Sequence, residues 1–229
     1  MEVRPVPGLE YEPYAEVWFE TADDALLDEA FALAAAIGKP GLEAWTTTMT
    51  PDVEPFLLAR GFVEHRRYLV SELDVTTAPD PGDPSWPLVT VADRPDLAPQ
   101  LEELACIAHA DQPGRAGTDL AGTWPQWGYH PHEPESYFVA LDGADRVLGY
   151  GYLELRDHQW WHGFLAVARE ARGRGIGGAI KRAQIRFAQE RGLPTLRTAT
   201  ELRLTGMREL NRRLGYRPLY EEIVVRATR

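Results

Sequence analysis

Between Val167 and Gln184 the chain reads VAREARGRGIGGAIKRAQ, with Gly173, Gly175, Gly177 and Gly178 set among five basic residues. An apolar strand, Leu165-Ala166-Val167, leads into this run. A helix leads out of it, with Ile176, Ala179, Ile180, Ala183 and Phe187 forming one expected apolar stripe. The glycines therefore stand at the first turn of a helix, where free amides and the positive dipole end bind anions. Glycine lets phosphate oxygens approach those amides, and Arg172 and Arg174 add charge and donors.

Two common phosphate motifs are excluded. A P-loop requires Gly-Lys-Ser/Thr, whereas Gly177-Gly178 runs into Ala179. The spacing of Gly173, Gly175, Gly177 and Gly178 is not that of a dinucleotide fingerprint, and no βαβ half with an acidic ribose ligand follows.

The stretch FLAVAREARGRGIGGAI does resemble the acyl-CoA motif of the GCN5-related N-acetyltransferases, Arg/Gln-x-x-Gly-x-Gly/Ala, through Arg172, Gly175 and Gly177. Further on, NRRLGYRP resembles a late turn of the same fold, so the resemblance covers roughly 88–229. It implies an acyl-CoA N-acyltransferase fold, with the pyrophosphate of acetyl-CoA on the amides of Gly173, Arg174, Gly175, Ile176, Gly177 and Gly178. The pantetheine arm would run along Leu165, Ala166 and Val167, and strand TLRTAT would splay away to admit the thioester. An amine would then attack the acetyl carbonyl directly, with a strand N–H helping to hold the oxyanion. Asn211 occupies the cofactor-facing position where many members carry a tyrosine acid, and an amide supplies no proton at neutral pH. Tyr216 matches a position that is apolar and structural in the family.

Three residues are candidates for the base: Glu201 at the end of the splaying strand, His162 at the start of the cofactor strand, and Glu154 in GYLEL. Each has an ordinary structural alternative. Trp124, Trp127, Tyr129 and His130, in a long loop between two strands, are expected to wall an acceptor pocket or to cover the sheet. His130 and His132 lack a third ligand, so no metal is expected.

The elements needed to position these groups are legible from 88 onward in the order β-α-β-β-β-α-β-α-β, an α/β mixed sheet. TTAPDPGDPSWP, 76–87, reads as a linker. The part before it resembles the part after it at a shift of 154: Gly38 falls on Gly192, Pro40 on Pro194, Thr46 on Thr200, and Gly61-Phe62 on Gly215-Tyr216. The same shift puts Trp18-Phe19-Glu20-Thr21-Ala22-Asp23-Asp24 on the glycine run, with no glycine and three carboxylates. The expected organisation is a degenerate half-domain, 1–75, before one complete catalytic domain, 88–229. Tandem acetyltransferases resembling mycothiol synthase show a similar arrangement.

Charge is divided the same way. Residues 1–160 carry 9 Lys+Arg against 29 Asp+Glu, a net of −20, and residues 161–229 carry 15 against 6, a net of +9, which together make the −11 of the chain. A basic segment in an acidic protein fits one local anionic ligand and not a nucleic-acid surface. No apolar run approaches the ~20 residues of a membrane span, and the N-terminus has no signal-peptide core, so a cytoplasmic protein is expected. Cys106 stands alone, which excludes an internal disulfide. The expected function is acetyl-CoA-dependent transfer of an acetyl group to a small-molecule amine, by a monomer or homodimer. The alternative is a non-catalytic acyl-CoA-binding or sensing protein.

Overall fold

The computed structural model describes residues 2–5, 13–83, 85–111 and 133–228. Its first half runs β1 (Val3–Pro5), β2 (Tyr14–Trp18), α1 (Asp24–Ala36), β3 (Gly41–Thr47), α2 (Val53–Leu58), β4 (Val63–Asp74), β5 (Leu88–Thr90) and α3 (Ala98–Ala110). The second half runs β6 (Phe138–Leu141), β7 (Val147–Arg156), β8 (Gln159–Val167), α4 (Ile176–Glu190), β9 (Thr195–Glu201), α5 (Thr205–Arg213) and β10 (Arg217–Thr228). Among the described residues no helix is long and apolar enough to cross a membrane.

The chain forms two compact units that interleave along the sequence. One comprises Met1–Ser71, Ala199–Arg208 and Pro218–Arg229; the other comprises Glu72–Thr198 and Glu209–Arg217. In the first, the strands stand in the order β1-β2-β3-β10-β4. β2 and β3 are parallel, and β10 runs antiparallel to β3 from Thr228 opposite Gly41 to Glu222 opposite Thr47. Ile223 and Val225 of β10 thereby join Leu42, Ala44, Leu27, Phe31 and Leu57 in one core. This burial is why the C-terminal strand groups with the N-terminal residues rather than with the segment that precedes it.

The opposite face of β3 carries Glu43, fully buried, with Arg66 Nη2 at 3.4 Å and Arg226 Nη2 at 2.6 Å. Burial alone would raise the Glu43 carboxyl, but the charges of Arg66 and Arg226 outweigh it and hold the group below its ordinary value.

In the second unit the order is β9-β8-β7-β6-β5, antiparallel from β5 to β8. Neighbouring β6 residues point to opposite faces: Val139 packs with Leu101, Leu104 and Ala105 of α3, and Ala140 with Ile176 and Ile180 of α4. Helices therefore cover both faces. The buried side of α4 differs from the expected stripe. Ile176, Ala179 and Ile180 are buried, but Ala183 and Phe187 are only half-buried, and Lys181, Gln184, Ile185 and Ala188 take the inner positions.

The segment 76–87 is bound along α4 rather than hanging free. Gln189 Nε2 donates to the Ala78 carbonyl at 3.2 Å, Arg186 pairs with Asp83 at 3.1 Å, and Trp86 Nε1 donates to the Leu141 carbonyl at 3.3 Å.

The internal repeat is visible in the elements. Shifted by 154, the bounds of β3 coincide with those of β9 and the bounds of β4 with those of β10. The ungapped shift fails ahead of α1. Trp18, which it sets on Arg172, is a strand residue, and only 19–23 separate β2 from α1, against 168–175 between β8 and α4.

Candidate active site

The site begins on β8. Leu165, Ala166 and Val167 face Gly151, Tyr150 and Gly149 of β7, whereas the register of β8 with β9 consists of Trp161 opposite Arg197. Leu165 to Val167 thus have their ladder on the β7 side. β8 also carries a bulge: Gly151 faces Leu165 and Leu153 faces His162, so two steps on β7 span three on β8. Gly163 sits in that bulge because nothing larger fits. A Cβ there would lie 2.1 Å from Cε2 of Tyr152, whose ring is held in a stack on Tyr137 with centroids 4.6 Å apart.

After Val167 the chain turns into α4 through Gly173, at φ 78°, and Gly175, at φ 86°. Both are in the left-handed region that favours glycine. Gly175 is the N-cap of α4, and among the described residues no side chain caps the helix, so its first amides are open to an anion. Ile176 is buried in the core and offers only its backbone, while Gly177 and Gly178 continue the first turn.

Arg172 reaches back, Nε donating to the Val167 carbonyl at 3.0 Å and Nη2 meeting Asp111 at 2.5 Å. Arg169 bonds the same carboxylate; this bond, with that from Arg172, holds Asp111 down at about 2. Arg174 is exposed and, among the described residues, makes no hydrogen bond or ion pair. Beside the helix start is a cavity of about 490 Å³, between Gly175, Gly178 and Arg182 of α4 and Leu210 and Arg213 of α5, with Asp80 at its edge.

The corresponding helix start in the N-terminal copy is closed. Asp23 is the N-cap of α1, and its Oδ1 accepts from Ala25 N at 2.7 Å and Leu26 N at 3.2 Å. A carboxylate of the chain itself stands on the amides there.

The three candidate bases fall in different surroundings. His162 is buried, with Nδ1 at 2.8 Å from Gln184 Oε1 and Nε2 bonded to the Tyr216 hydroxyl. Since the amide oxygen of Gln184 only accepts, Nδ1 carries the proton and Nε2 accepts from Tyr216. Burial, with the nearby charge of Lys181, keeps His162 well below its ordinary value. Both nitrogens are thus committed, which removes His162 from the bases open to an incoming amine. Tyr216 is not a plain packing ring: its hydroxyl completes this bond, and burial raises its pKa. Glu154 is paired with Arg156, and Glu201 with Arg203, Glu201 lying in the other compact unit. Asn211 is buried in α5, its backbone carbonyl accepting from Leu214 N and Tyr216 N at 3.1 Å each. Trp124, Trp127, Tyr129 and His130 lie outside the described residues.

Two polar residues on the inner face of α4 escaped the reading of the sequence. Lys181, 2% exposed, donates to Thr198 Oγ1 at 3.3 Å, and Gln184 holds His162. The available signal was spacing: Lys181, Gln184 and Ala188 follow Gly177 at i+4, i+7 and i+11, on a helix whose other residues at those spacings are apolar.

A strand bulged beside its neighbour, a glycine turn and an uncapped helix belong to the acyl-CoA N-acyltransferase fold. The model of the acetyltransferase (GNAT) family matches residues 101–216, just over half of the chain, and the chain belongs to that family. Mycothiol acetyltransferase of Pseudarthrobacter chlorophenolicus is 27% identical over 198 residues, 81% of this chain and 60% of that protein. Mycothiol acetyltransferase of an Arthrobacter species is 26% identical over 199 residues, 80% of this chain and 59% of its own length. The chain thus spans about three-fifths of these relatives. Among solved structures, a GCN5-related N-acetyltransferase from Sphaerobacter thermophilus superposes with a TM-score of 0.71 at 16% identity, over 99% of this chain and 75% of that one. A tandem GNAT protein from the clavulanic acid biosynthesis pathway gives 0.68 at 20% identity, over 94% and 75%.

Proposed function

We propose that the chain is an acetyl-CoA-dependent N-acetyltransferase that acts on a small organic amine in the cytoplasm. The observation that carries this reading is the uncapped start of α4 at Gly175, with Gly173 and Gly175 both at positive φ, directly after a bulged strand. The residues fit the donor. Open amides from Gly173 to Gly178 would hold the pyrophosphate, Arg174 and Arg182 would add charge, and Leu165 to Val167 would align the pantetheine arm. When bound, acetyl-CoA supplies an acetyl group activated as a thioester. The bulge at Gly163 interrupts the β7 ladder just before Leu165, and a backbone N–H of this strand would help to hold the oxyanion. With His162 committed to Gln184 and Tyr216, Glu154, paired with Arg156 in the same compact unit, is the candidate that would receive the amine's proton. The N-terminal copy serves as a degenerate, non-binding half, supported by the carboxylate of Asp23 on its helix start.

Acetyl-CoA should raise the melting temperature of the wild type and not that of Gly175→Glu, which forces a side chain into the left-handed region and puts a negative charge at the pyrophosphate. Equal shifts in both would overturn the assignment of the cradle. A free-thiol assay over an amine library tests the transfer. Thiol release that requires an added amine supports the enzyme. Tight binding without release supports the acyl-CoA sensor, the reading that Asn211, in the place of a tyrosine acid, favours.

A further inference from the structure

The ladder between β8 and β9 is the pair Trp161–Arg197, and the next residue on each strand, His162 and Thr198, turns a buried polar side chain towards α4. Two residues one turn apart on α4 receive them: Gln184 bonds His162, and Lys181 bonds Thr198. The Tyr216 hydroxyl closes the group from the residue just before β10, and Lys181 Nζ lies 5.4 Å from the centre of its ring. The end of the ladder thus stands over a buried polar group that a plain α/β core does not need.

The proton donors in this group are not equivalent. Tyr216 gives its proton to His162 Nε2, and His162 gives its own to Gln184, so neither has one to spare. Lys181 is different. Its one hydrogen-bond partner among the described residues is Thr198 Oγ1, and no carboxylate pairs with it. Thr198, whose oxygen accepts from Lys181, keeps its own O–H, which has no acceptor among the described residues. A cation 2% exposed, with no counter-charge among the described residues, is stabilised by a negative charge that arrives beside it.

We propose that Lys181, acting through the Thr198 hydroxyl, is the proton source and counter-charge for the coenzyme A thiolate that leaves in the transfer. This rests on the reading of the protein as an acetyl-CoA-dependent transferase. When the amine has attacked and the C–S bond breaks, the electron pair stays on sulfur. The Thr198 O–H proton passes to that sulfur, Lys181 N–H replaces it on Thr198, and the amine left at Lys181 regains a proton from solvent before the next turnover. The acid that Asn211 cannot provide is thereby supplied from α4. Burial lowers Lys181 to about 7, so both of its forms are populated near neutrality. Among the described residues the groups that face it are Thr198 from β9, His162 from β8 and Tyr216 from the turn before β10, with Gln184 on its own helix; burial and Lys181 keep His162 neutral, and burial keeps Tyr216 neutral.

The test is the ionisation of bound coenzyme A, followed by thiolate absorbance in the ultraviolet across pH 5–10 in wild type, Lys181→Met and Thr198→Val. Titration by isothermal calorimetry first establishes that each variant binds coenzyme A. In the wild type the bound thiol should titrate at least one unit below an ordinary thiol (~8.5), a tenfold gain in thiolate at pH 7. Lys181→Met should abolish the shift with coenzyme A affinity changed less than threefold, and Thr198→Val should reduce it. The kcat for transfer should fall ten- to a hundredfold in Lys181→Met with the KM for acetyl-CoA held. An unshifted thiol in the wild type, or the same shift in Lys181→Met, overturns the proposal while leaving the transferase reading intact. Failure of the wild type to bind coenzyme A overturns both.

Discussion

Asp23 and Gly175 are the N-caps of corresponding helices, and they treat the helix start in opposite ways: Asp23 Oδ1 sits 2.7 Å from Ala25 N, whereas Gly175 places no side chain on the amides of α4. One chain thus holds both solutions to the same problem, an internal carboxylate in the first copy and open amides in the second. Asp23→Ala removes the cap and should lower the unfolding free energy by about 1 kcal/mol. Acetyl-CoA affinity should not change. Urea denaturation and calorimetry check the two halves of this expectation, and a gain of acetyl-CoA binding at a second site would contradict it.

Gly163→Ala should cost about 1–3 kcal/mol, because its Cβ would meet Tyr152, which cannot retreat from its stack on Tyr137. Relief of the clash flattens or enlarges the bulge, so the KM for acetyl-CoA should rise in the surviving fraction. A urea midpoint equal to wild type would show that the bulge has room the contact distances deny.

Lys181 carries a pH dependence of stability whose sign is set by its lowered pKa. Unfolded, the amine titrates near 10.5; folded, at about 7. Between these values the unfolded chain binds the extra proton, so stability falls as pH drops from 10.5 to 7 and levels off below. Each unit is worth ~1.4 kcal/mol, which bounds the effect at roughly 4–5 kcal/mol. Lys181→Met should be more stable than wild type at pH 7 by a few kcal/mol and should lose this slope. Denaturation midpoints at pH 7, 8.5 and 10 decide it.

Glu43→Ala leaves Arg66 and Arg226 facing one another without their shared carboxylate, and Trp45 Nε1 without its acceptor at 3.3 Å. Breaking a buried pair in this way costs about 3–5 kcal/mol. Thermal unfolding should therefore shift down by many degrees. A shift of one or two degrees would mean that water reaches the arginines once the carboxylate is gone.

Much of the fold was legible because its signals are local. Gly-x-Pro stops, a Gly-aromatic turn before the last strand of each copy and the 154-residue shift marked the places of β3, β4, β9 and β10. The glycine run was legible for the same reason, since positive φ and an uncapped helix start are properties of a few adjacent residues. The inner face of α4 was misjudged. Hydropathy sent Ala183 and Phe187 inward, but Lys181 and Gln184 go in because each finds a partner, Thr198 and His162, on another strand. His162 could be read only as a candidate base or a packed side chain for the converse reason, that nothing near it in sequence announces Gln184 or Tyr216.

The amino-acid order alone thus determined where a glycine turn opens into a helix, since that depends on backbone freedom within one strand–turn–helix segment. It also determined that the N-terminal copy has no glycine run before its helix and carries carboxylates there, whereas the cap that Asp23 makes on α1 is seen in the structure. Only the tertiary structure decided which ionisable groups stay available. Burial and pairing depend on residues brought together across the chain, as when β10 returns to β3 or Tyr216 reaches His162. A lysine in a basic helix became a buried amine on Thr198, and a histidine suited to proton transfer became a fixed neutral link.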